Sequence, residues 1–251
     1  MLVQGATLNL RLTIMQIRIH DPAAAPKEAA VLIAAECRAA IAARGRAVLA
    51  VSGGRTPWQM LAALIQEDLA WAHVHVAQVD ERIAPAGDPD RNLTQLQMIL
   101  VAEGPLPAGQ LYAMPVEETD LDGAARAYAR TLEHLAGSPA VLDVVHLGLG
   151  SDGHTASLVP GDPVLDVTDA DVAITAGPYQ GRRRMTLTYP ILNRARRIVW
   201  LVTGAEKAEM VARLAAGDPT IPAGRVNLQH ATLVADAAAA ARLTINSGRI
   251  D

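Results

Sequence analysis

The segment LDVVHLGLGSDGHTASLVPG, residues 142–161, carries the clearest indication of both fold and site. Its apolar run at 144–147 is too short for a helix and is closed by glycines, as is typical of a buried strand that enters a tight turn. The turn contains Asp152 and, two residues later, His154. A βα turn of this kind ends in free backbone N–H groups, which favour anions. The segment therefore predicts a ligand site, although the same residues also fit a plain chain turn with a structural histidine.

Length and composition narrow the class of protein. We expect one domain spanning 1–251, because this length fits one large domain or two small ones. The hydrophobic fraction of 51% comes largely from alanine, valine and leucine, with no phenylalanine, which favours an aliphatic sheet flanked by alanine-rich helices. A net charge of -4 and an aromatic fraction of 3% argue against nucleic-acid binding, which usually needs a basic surface and stacking side chains.

Cysteine content and the terminal sequence bear on the compartment. Cys37 is the only cysteine, so the chain forms no internal disulfide and no cysteine metal site. The N-terminus lacks a basic region followed by an uninterrupted apolar core, and no later stretch is long enough to cross a bilayer. These features predict a cytoplasmic protein without membrane contact. Residues 1–14 precede Met15 and are interpreted as a disordered or dispensable extension.

Strand patterns alternate with helical patterns along the chain. The predicted strands are 16–20, 47–51, 74–79, 141–147, 185–188 and 198–202. The predicted helices are 26–43, 57–65, 93–100, 121–135, 206–215 and 235–242. This alternation predicts an α/β, Rossmann-like fold in which helices cover both faces of a mostly parallel sheet.

Ligands of such sheets bind outside the carboxyl ends of the strands, so the residues that follow each strand are candidate site residues. The second strand is followed by SGGRTP at 52–57, where Ser52, Gly53, Gly54 and Thr56 offer donors for a phosphate. The Gly-Lys-Ser/Thr ending of a Walker loop is absent. Because any tight βα turn needs glycine, this loop alone is a weak indication.

Charged side chains lie near the ends of other strands. Arg82 presents a planar guanidinium suited to a phosphate, and Asp80 is placed to bind a hydroxyl or to orient a base. A solvated charge cluster would give the same pattern. Lys207 lies in the first turn of a helix, where it opposes the helix dipole unless an anion binds there; a solvated lysine is the alternative. Arg184, just before the strand at 185–188, is a further anion-binding candidate.

Five motifs together resemble a known family. They are SGGRTP at 52–57, DERIAP at 80–85, GLGSDGHTASLVPG at 148–161, RMTLT at 184–188 and LVTGAEK at 201–207. In order and spacing they resemble the 6-phosphogluconolactonases, and the resemblance covers nearly the whole chain from Met15. It implies the fold shared with glucosamine-6-phosphate deaminases and ribose-5-phosphate isomerases.

The resemblance also implies an activity and a set of roles. The family hydrolyses 6-phosphoglucono-δ-lactone to 6-phosphogluconate in the oxidative pentose phosphate pathway, without a metal or other cofactor. His154 matches the general base that takes a proton from water, and its partner is left open as Asp80, Asp152 or neither. The positions that match substrate and phosphate contacts are Ser52, Gly53, Gly54, Thr56, Arg82, Asn92, Arg184 and Lys207. The implied partner is thus a small sugar phosphate, and the oligomeric state stays open.

Two positions depart from the family pattern. Arg91-Asn92 stands where the family commonly has Ser-Asn, and Val159 replaces a usual phenylalanine. We expect Asn92 still to meet the substrate. Arg91 either adds a phosphate contact or faces solvent, and we expect solvent because isolated charges are mostly exposed.

Two other functions share part of the motif set. Amino-sugar phosphate deaminases and isomerases have a related Asp-Gly-His turn, but an aromatic residue typically follows their strand-end Asp-Glu, where this chain has Arg82. A non-catalytic sugar-phosphate sensor would keep the phosphate loop without the base, whereas His154 and Asp80 are both present here. The motifs therefore favour a lactonase.

Overall fold

A computed structural model describes residues 15–243, and strands alternate with helices along most of this range. The strands are β1 (Gln16–His20), β2 (Ala47–Val51), β3 (Val74–Gln78), β4 (Asp80–Arg82), β5 (Leu111–Tyr112), β6 (Val144–Leu147), β7 (Val172–Ile174), β8 (Arg184–Leu187), β9 (Arg197–Val202) and β10 (Ala231–Asp236). The α-helices are α1 (Ala25–Arg44), α2 (Arg55–Leu64), α3 (Asn92–Leu96), α4 (Leu121–Ala136), α5 (Tyr189–Arg194) and α6 (Ala208–Ala215). The interpretation of residues 1–14 as an extension lies outside the described residues.

Seven strands form a parallel sheet in the order β1-β10-β9-β6-β2-β3-β5. Consecutive parallel strands need a crossover connection, and the helical segments between them provide it. The sheet and its flanking helices confirm the predicted α/β fold. Among residues 15–243, no helix combines the length and apolar character needed to cross a membrane.

The main sheet is buried on both faces, and β2 illustrates how. All five of its residues, AVLAV, are buried. Val48 and Ala50 belong to one hydrophobic cluster, whereas Leu49 and Val51 belong to the other. Because successive side chains of a strand point to opposite faces, β2 contributes to both cores. A near-continuous apolar run without polar alternation is the sequence pattern that this environment requires.

Helices cover each face by their apolar sides. Ile33 of α1 and Leu61 of α2 pack in the cluster that contains Leu49. Leu132 of α4 and Val211 of α6 pack in the cluster on the other face. The chain thus forms three layers, helix on sheet on helix.

A second sheet differs from the prediction of one mostly parallel sheet. Strands β4, β8 and β7 pair antiparallel, with Arg82 opposite Arg184. Val79 joins the two sheets: its N–H donates to Val51 O at 3.0 Å, and its carbonyl accepts from Leu187 N–H at 2.8 Å. The chain therefore changes sheets directly before Asp80. The strand predicted at 185–188 corresponds to β8, but its antiparallel partners β4 and β7 have only three residues each and gave no sequence signal.

The predicted helix at 235–242 is wrong. Residues Ala231–Asp236 form β10, which pairs with β1 and β9, and turns follow it. The alanines at 235 and 237–241 favour a helix by intrinsic propensity, but Ala235 and Asp236 complete β10. The backbone N–H groups of Ala239 and Ala240 then donate to Asp236 Oδ1 and Asp236 O, so the residues after the strand form turns. The helix predicted at 93–100 differs in type over its second half. In the structure α3 ends at Leu96, and a π-helical segment, Gln97–Ala102, continues it.

Ile33 provides a test of the helix–sheet packing. Ile33→Ala should lower the free energy of unfolding by about 2–5 kcal/mol, because the Ile33 side chain is fully buried and its truncation leaves a cavity in the core. Val31 lies on the same helix and is 42% exposed, so Val31→Ala should change stability by less than about 0.5 kcal/mol. Urea unfolding of both variants provides the comparison. Equal losses in the two variants would contradict this packing.

Candidate active site

A cavity of about 800 Å³ opens at the carboxyl ends of β2, β6, β9 and β10. Ser52, Gly148, Thr203 and Asp236, at or just after these ends, line it. All but one of the predicted site residues also lie in its wall, namely Ser52, Gly53, Gly54, Thr56, Asp80, Arg82, Asn92, His154, Arg184 and Lys207. The exception is Asp152, which contacts His154 instead. The structure thus brings together side chains that lie up to 155 positions apart in the sequence.

The loop between β2 and α2 is fixed by the neighbouring strand β6. Ser52 Oγ donates to His146 O at 3.0 Å, and Ser52 N–H donates to His146 Nδ1 at 3.4 Å. Burial lowers the pKa of His146 to about 3, so this imidazole stays neutral and accepts the bond. A further contact, 3.1 Å between the hydroxyls of Thr56 and Thr203, links the loop to the end of β9. The glycine loop is therefore held in place by contacts on two sides.

Asn92 lies between the loop and the charged strand β4. Its Nδ2 donates to Asp80 O at 2.9 Å, and its Oδ1 accepts from Arg82 Nη1 at 3.1 Å. Gly53 lies so close that a Cβ there would overlap Asn92 Oδ1. The glycine at this position is thus required by a side chain that packs against the loop. Asn92 is 3% exposed and orients both Asp80 and Arg82.

Asp80 is held by groups other than the histidine. Ser157 Oγ donates to its Oδ2 at 2.6 Å, and Arg184 Nη1 lies 3.6 Å from the same oxygen. Of the two carboxylates that the sequence left open as neighbours of His154, only Asp152 contacts it among the described residues. Asp80 instead lies buried in the wall, 5% exposed.

The expectation that Arg91 faces solvent is wrong. Arg91 is 3% exposed, and its Nη1 lies 3.1 Å from Glu117 Oε1 while its Nε lies 3.6 Å from Glu81 Oε2. Glu81 is fully buried, so a cation beside it offsets part of the cost of burying its charge. Arg91 does not line the cavity described above.

Within the described residues, the cavity wall contains the cations of Arg55, Arg82, Arg184 and Lys207 beside the carboxylates of Asp80, Glu206 and Asp236. Arg184 is buried, and its Nε has no hydrogen-bond partner among the described residues. Lys207 lines the cavity and forms no salt bridge within residues 15–243. Unpaired donors of buried cations are costly, and an anionic ligand would satisfy them. In the described part of the chain, no group of three or more His, Cys, Asp or Glu residues is placed to hold a metal ion.

His154 and Asp152 form the chemically distinctive pair of the site. His154 Nδ1 lies 2.6 Å from Asp152 Oδ1, and the backbone N–H of His154 donates to the same oxygen at 3.1 Å. A carboxylate at this distance assigns a proton to Nδ1 and leaves Nε2 with its lone pair. Such a nitrogen is able to take a proton from water.

The close approach of this pair depends on Gly150. A Cβ at Gly150 would overlap both the His154 ring and the Asp152 carboxylate. Burial alone raises the pKa of Asp152, but its hydrogen bond from the His154 ring, the charge of that ring, and donors from the backbone and Tyr179 bring the pKa below its usual value. Asp152 is therefore ionised at neutral pH and able to orient the imidazole.

Two side chains of the site were missed by sequence reasoning. His146 is buried within β6 beneath the glycine loop, and an apolar strand run gave no indication of its contact with Ser52. Tyr179 lies in the β7–β8 loop, with its hydroxyl 3.1 Å from both Asp152 Oδ2 and His154 Nδ1. An isolated tyrosine followed by Gln-Gly resembles any surface turn, so the sequence offered no signal for it.

Comparisons with known proteins are consistent across sequence and structure. Residues 20–235 match the family model described as glucosamine-6-phosphate isomerases/6-phosphogluconolactonase. A 6-phosphogluconolactonase of Synechocystis is 36% identical over 192 residues, covering 75% of this chain and 79% of that protein. A 6-phosphogluconolactonase of Mycobacterium tuberculosis is 38% identical over 218 residues, covering 82% of this chain and 88% of that protein.

Solved structures share the same architecture. The 6-phosphogluconolactonase from Trypanosoma cruzi superposes with a TM-score of 0.82 at 25% identity, covering 92% of this chain and 98% of that one. A monomeric glucosamine-6-phosphate deaminase superposes with a TM-score of 0.79 at 20% identity, covering 91% of this chain and all of that one. The second likeness shows a shared fold alone.

Phosphate binding provides a test of the cationic wall. Inorganic phosphate at ten times its dissociation constant should stabilise the protein by about 1.4 kcal/mol and raise its Tm, relative to chloride at equal ionic strength. Lys207→Gln should reduce this phosphate effect, because it removes an unpaired cation from the cavity. Lys27 is the only other lysine and lies exposed on α1, so Lys27→Gln is the matched control and should keep the full shift. The same phosphate shift in all three proteins would contradict the role of Lys207.

Proposed function

This chain belongs to the glucosamine-6-phosphate isomerase/6-phosphogluconolactonase family, and we propose that water activated by His154 opens the lactone ring of its substrate in this cavity. The activity is that of a 6-phosphogluconolactonase, a lactone hydrolase of the oxidative pentose phosphate pathway. One observation carries the assignment of the base: the 2.6 Å contact of His154 with Asp152, in a cavity that also holds Arg82, Arg184 and Lys207.

The phosphate of the substrate binds among the cations and the glycine loop. Arg82 and Lys207 supply the charges, and the loop from Ser52 to Thr56 supplies backbone and hydroxyl donors. This assignment is supported by the absence of a salt bridge to Lys207 within residues 15–243 and by the hydrogen bonds of the loop to His146. Binding of the phosphate holds the distant ester carbonyl in one position. The carbonyl carbon is then correctly oriented for attack by the water molecule at His154.

The chemical step needs one proton to move twice. His154 Nε2 takes a proton from water as the water oxygen bonds to the lactone carbonyl carbon. The bond from that carbon to the ring oxygen then breaks, and the imidazolium returns the proton to the departing ring oxygen. Asp152 remains ionised, holds Nδ1–H and stabilises the imidazolium between the two transfers. The product carboxylic acid ionises in water.

Asp80 and Arg184 orient the substrate rather than the base. Asp80 has no contact with His154 in the described structure, and its oxygens face Ser157, Asn92 and Arg184. We assign it to a substrate hydroxyl. Arg184 lines the cavity, and its Nε has no partner within the described residues, so its guanidinium is assigned to an oxygen of the lactone. This arrangement assigns general-base chemistry to His154 and charge stabilisation to the guanidinium.

The reaction is proposed to need no metal, since the residues of the cavity supply a base, a carboxylate and cations. The deaminase alternative is less well supported, because the relatives at 36% and 38% identity are named lactonases and the deaminase likeness at 20% identity concerns the fold. The sensor alternative is less well supported, because binding without catalysis does not require a histidine paired with a carboxylate.

We also propose that residues 15–243 fold as one unit and that the protein is cytoplasmic. The hydrophobic cluster that contains Trp200 of the main sheet also contains Met185 and Leu187 of the small sheet, which supports one folding unit. The lone Cys37 is buried, and burial raises the pKa of its thiol to about 12, which suits an unreactive thiol in a reducing compartment. The human relative, by contrast, is named an endoplasmic bifunctional protein.

Direct assay of lactone hydrolysis tests the function and the base together. The purified protein with excess chelator should hydrolyse 6-phosphoglucono-δ-lactone well above the spontaneous rate. His154→Ala should lower kcat by at least about 100-fold, because general-base catalysis is lost. His134, exposed on α4, provides the control variant His134→Ala, which should keep full activity.

Three outcomes would count against these assignments. An inactive wild-type protein would refute the lactonase function. Ammonia release from glucosamine 6-phosphate would favour the deaminase. Normal turnover by His154→Ala would refute the choice of base while leaving the function intact.

A further inference from the structure

Tyr179 is fixed at the cavity wall by its own loop. Its N–H donates to Arg182 O at 2.9 Å, which closes a short turn between β7 and β8. The Arg182 side chain lies 2.9 Å from Asp88 and 3.3 Å from Asp90, so the turn is anchored to the segment after β4. These contacts fix the turn that carries the Tyr179 ring.

The side chain of Tyr179 contacts both members of the base pair. Its hydroxyl lies 3.1 Å from Asp152 Oδ2, and its ring meets the His154 ring edge to face, with centroids 5.0 Å apart at 61°. Arg184 Cζ lies 5.3 Å from the centroid of the Tyr179 ring. One side chain thus touches the base, its carboxylate and a buried cation of the cavity.

The protons of this cluster can be assigned from the distances. The single hydrogen on His154 Nδ1 points to the nearer acceptor, Asp152 Oδ1 at 2.6 Å. The Tyr179 hydroxyl then donates to the other oxygen, Oδ2. Burial and the charge of Asp152 raise the pKa of Tyr179, so the phenol keeps its proton at neutral pH. The ring and the backbone N–H of His154 therefore donate to Oδ1, and the Tyr179 hydroxyl is the donor to Oδ2 within the described residues. Donors on both oxygens fix the rotation of the carboxylate.

We propose that Tyr179 is a positioning residue for the reaction, whose hydroxyl locks Asp152 in the rotation that keeps the His154 proton on Nδ1 and the lone pair on Nε2. This inference rests on the proposed role of His154 as the base. Asp152 is a turn residue whose side chain is 37% exposed, so without the Tyr179 hydroxyl its Oδ2 is left to water and the carboxylate is held through Oδ1 alone. Tyr179 acts through Asp152 and needs no contact with the reacting atoms.

Tyr179→Phe removes the hydroxyl and keeps the ring. The ring contacts with His154 and Arg184 stay in place, so substrate binding should be preserved. We expect kcat to fall about tenfold, as for the loss of one hydrogen bond to a charged group, while KM stays within about twofold.

A pH profile gives a second readout. The acid limb of the kcat/KM profile should move to higher pH in Tyr179→Phe, because the variant removes a hydrogen bond that helps to hold the pKa of Asp152 below its usual value. Asp152 and Tyr179 contact the imidazole directly. The other charged groups of the cavity are unchanged in the variant, namely Arg55, Asp80, Arg82, Arg184, Glu206, Lys207 and Asp236.

The chain contains a matched control. Tyr112 on β5 places its hydroxyl 3.0 Å from His75 Nδ1, with ring centroids 5.8 Å apart, and it lies outside the cavity wall. Tyr112→Phe therefore removes a contact between a tyrosine hydroxyl and a histidine nitrogen at a distance from the site. It should keep wild-type kcat, KM and pH profile.

A spectroscopic measurement is independent of turnover. In ¹⁵N-histidine NMR spectra at neutral pH, His154 of the wild type should appear as the neutral tautomer with the proton on Nδ1 and none on Nε2. Tyr179→Phe should show a mixture of tautomers. Thermal unfolding of both variants establishes that they are folded.

The outcomes separate this inference from the proposed function. If the wild type hydrolyses the lactone and Tyr179→Phe matches it in kcat, pH profile and tautomer, the positioning role is wrong and the lactonase function stands. A rise in KM at unchanged kcat would also overturn the role, since the hydroxyl would then contact substrate. An inactive wild type would overturn the function itself.

Discussion

The buried carboxylate of Glu81 holds together the part of the chain on which the site depends. It is fully buried and accepts hydrogen bonds of 2.7–2.8 Å from Gln78 Nε2 and from the backbone N–H groups of Arg82, Asn92 and Leu93. A buried charge is costly unless such donors surround it, and removing it would leave these donors unpaired. One carboxylate thereby connects β3, β4 and the start of α3. Asp80, Arg82 and Asn92 reach the cavity from the positions that it fixes.

The main sheet was predictable because its strands are buried on both faces. Runs such as 47–51 and 198–202 stand out as apolar segments bounded by turn residues, and the structure places strands at Ala47–Val51 and Arg197–Val202. Short strands such as Leu111–Tyr112 offer no periodicity to detect. The strand Ala231–Asp236 was missed for another reason: the alanines at 235 and 237–241 predicted a helix over its last residues, whereas the segment pairs with β1 and β9.

The residues of the site were predictable for a topological reason, whereas their pairing was not. Parallel strands present their carboxyl ends at one edge, so residues just after each strand converge there. Which carboxylate meets His154 depends on the backbone of the turn, where Gly150 allows Asp152 within 2.6 Å of the ring. The burial of Arg91 depends on Glu117, a partner 26 positions away that no local pattern indicates. Contacts of this kind follow from tertiary structure alone.

The two sheets contribute different parts of the site, and Val79 fixes their relation. The main sheet supplies the glycine loop and the turn that carries His154, whereas the small sheet supplies Asp80, Arg82 and Arg184. Val79 hydrogen-bonds to Val51 in one sheet and to Leu187 in the other. Because hydrolysis requires the phosphate and the carbonyl to be held at once, the rate depends on the distance between groups from different sheets. The hydrogen bonds of Val79 beside Asp80 set that distance, and the donors to Glu81 connect β4 with β3 and α3 at the same place.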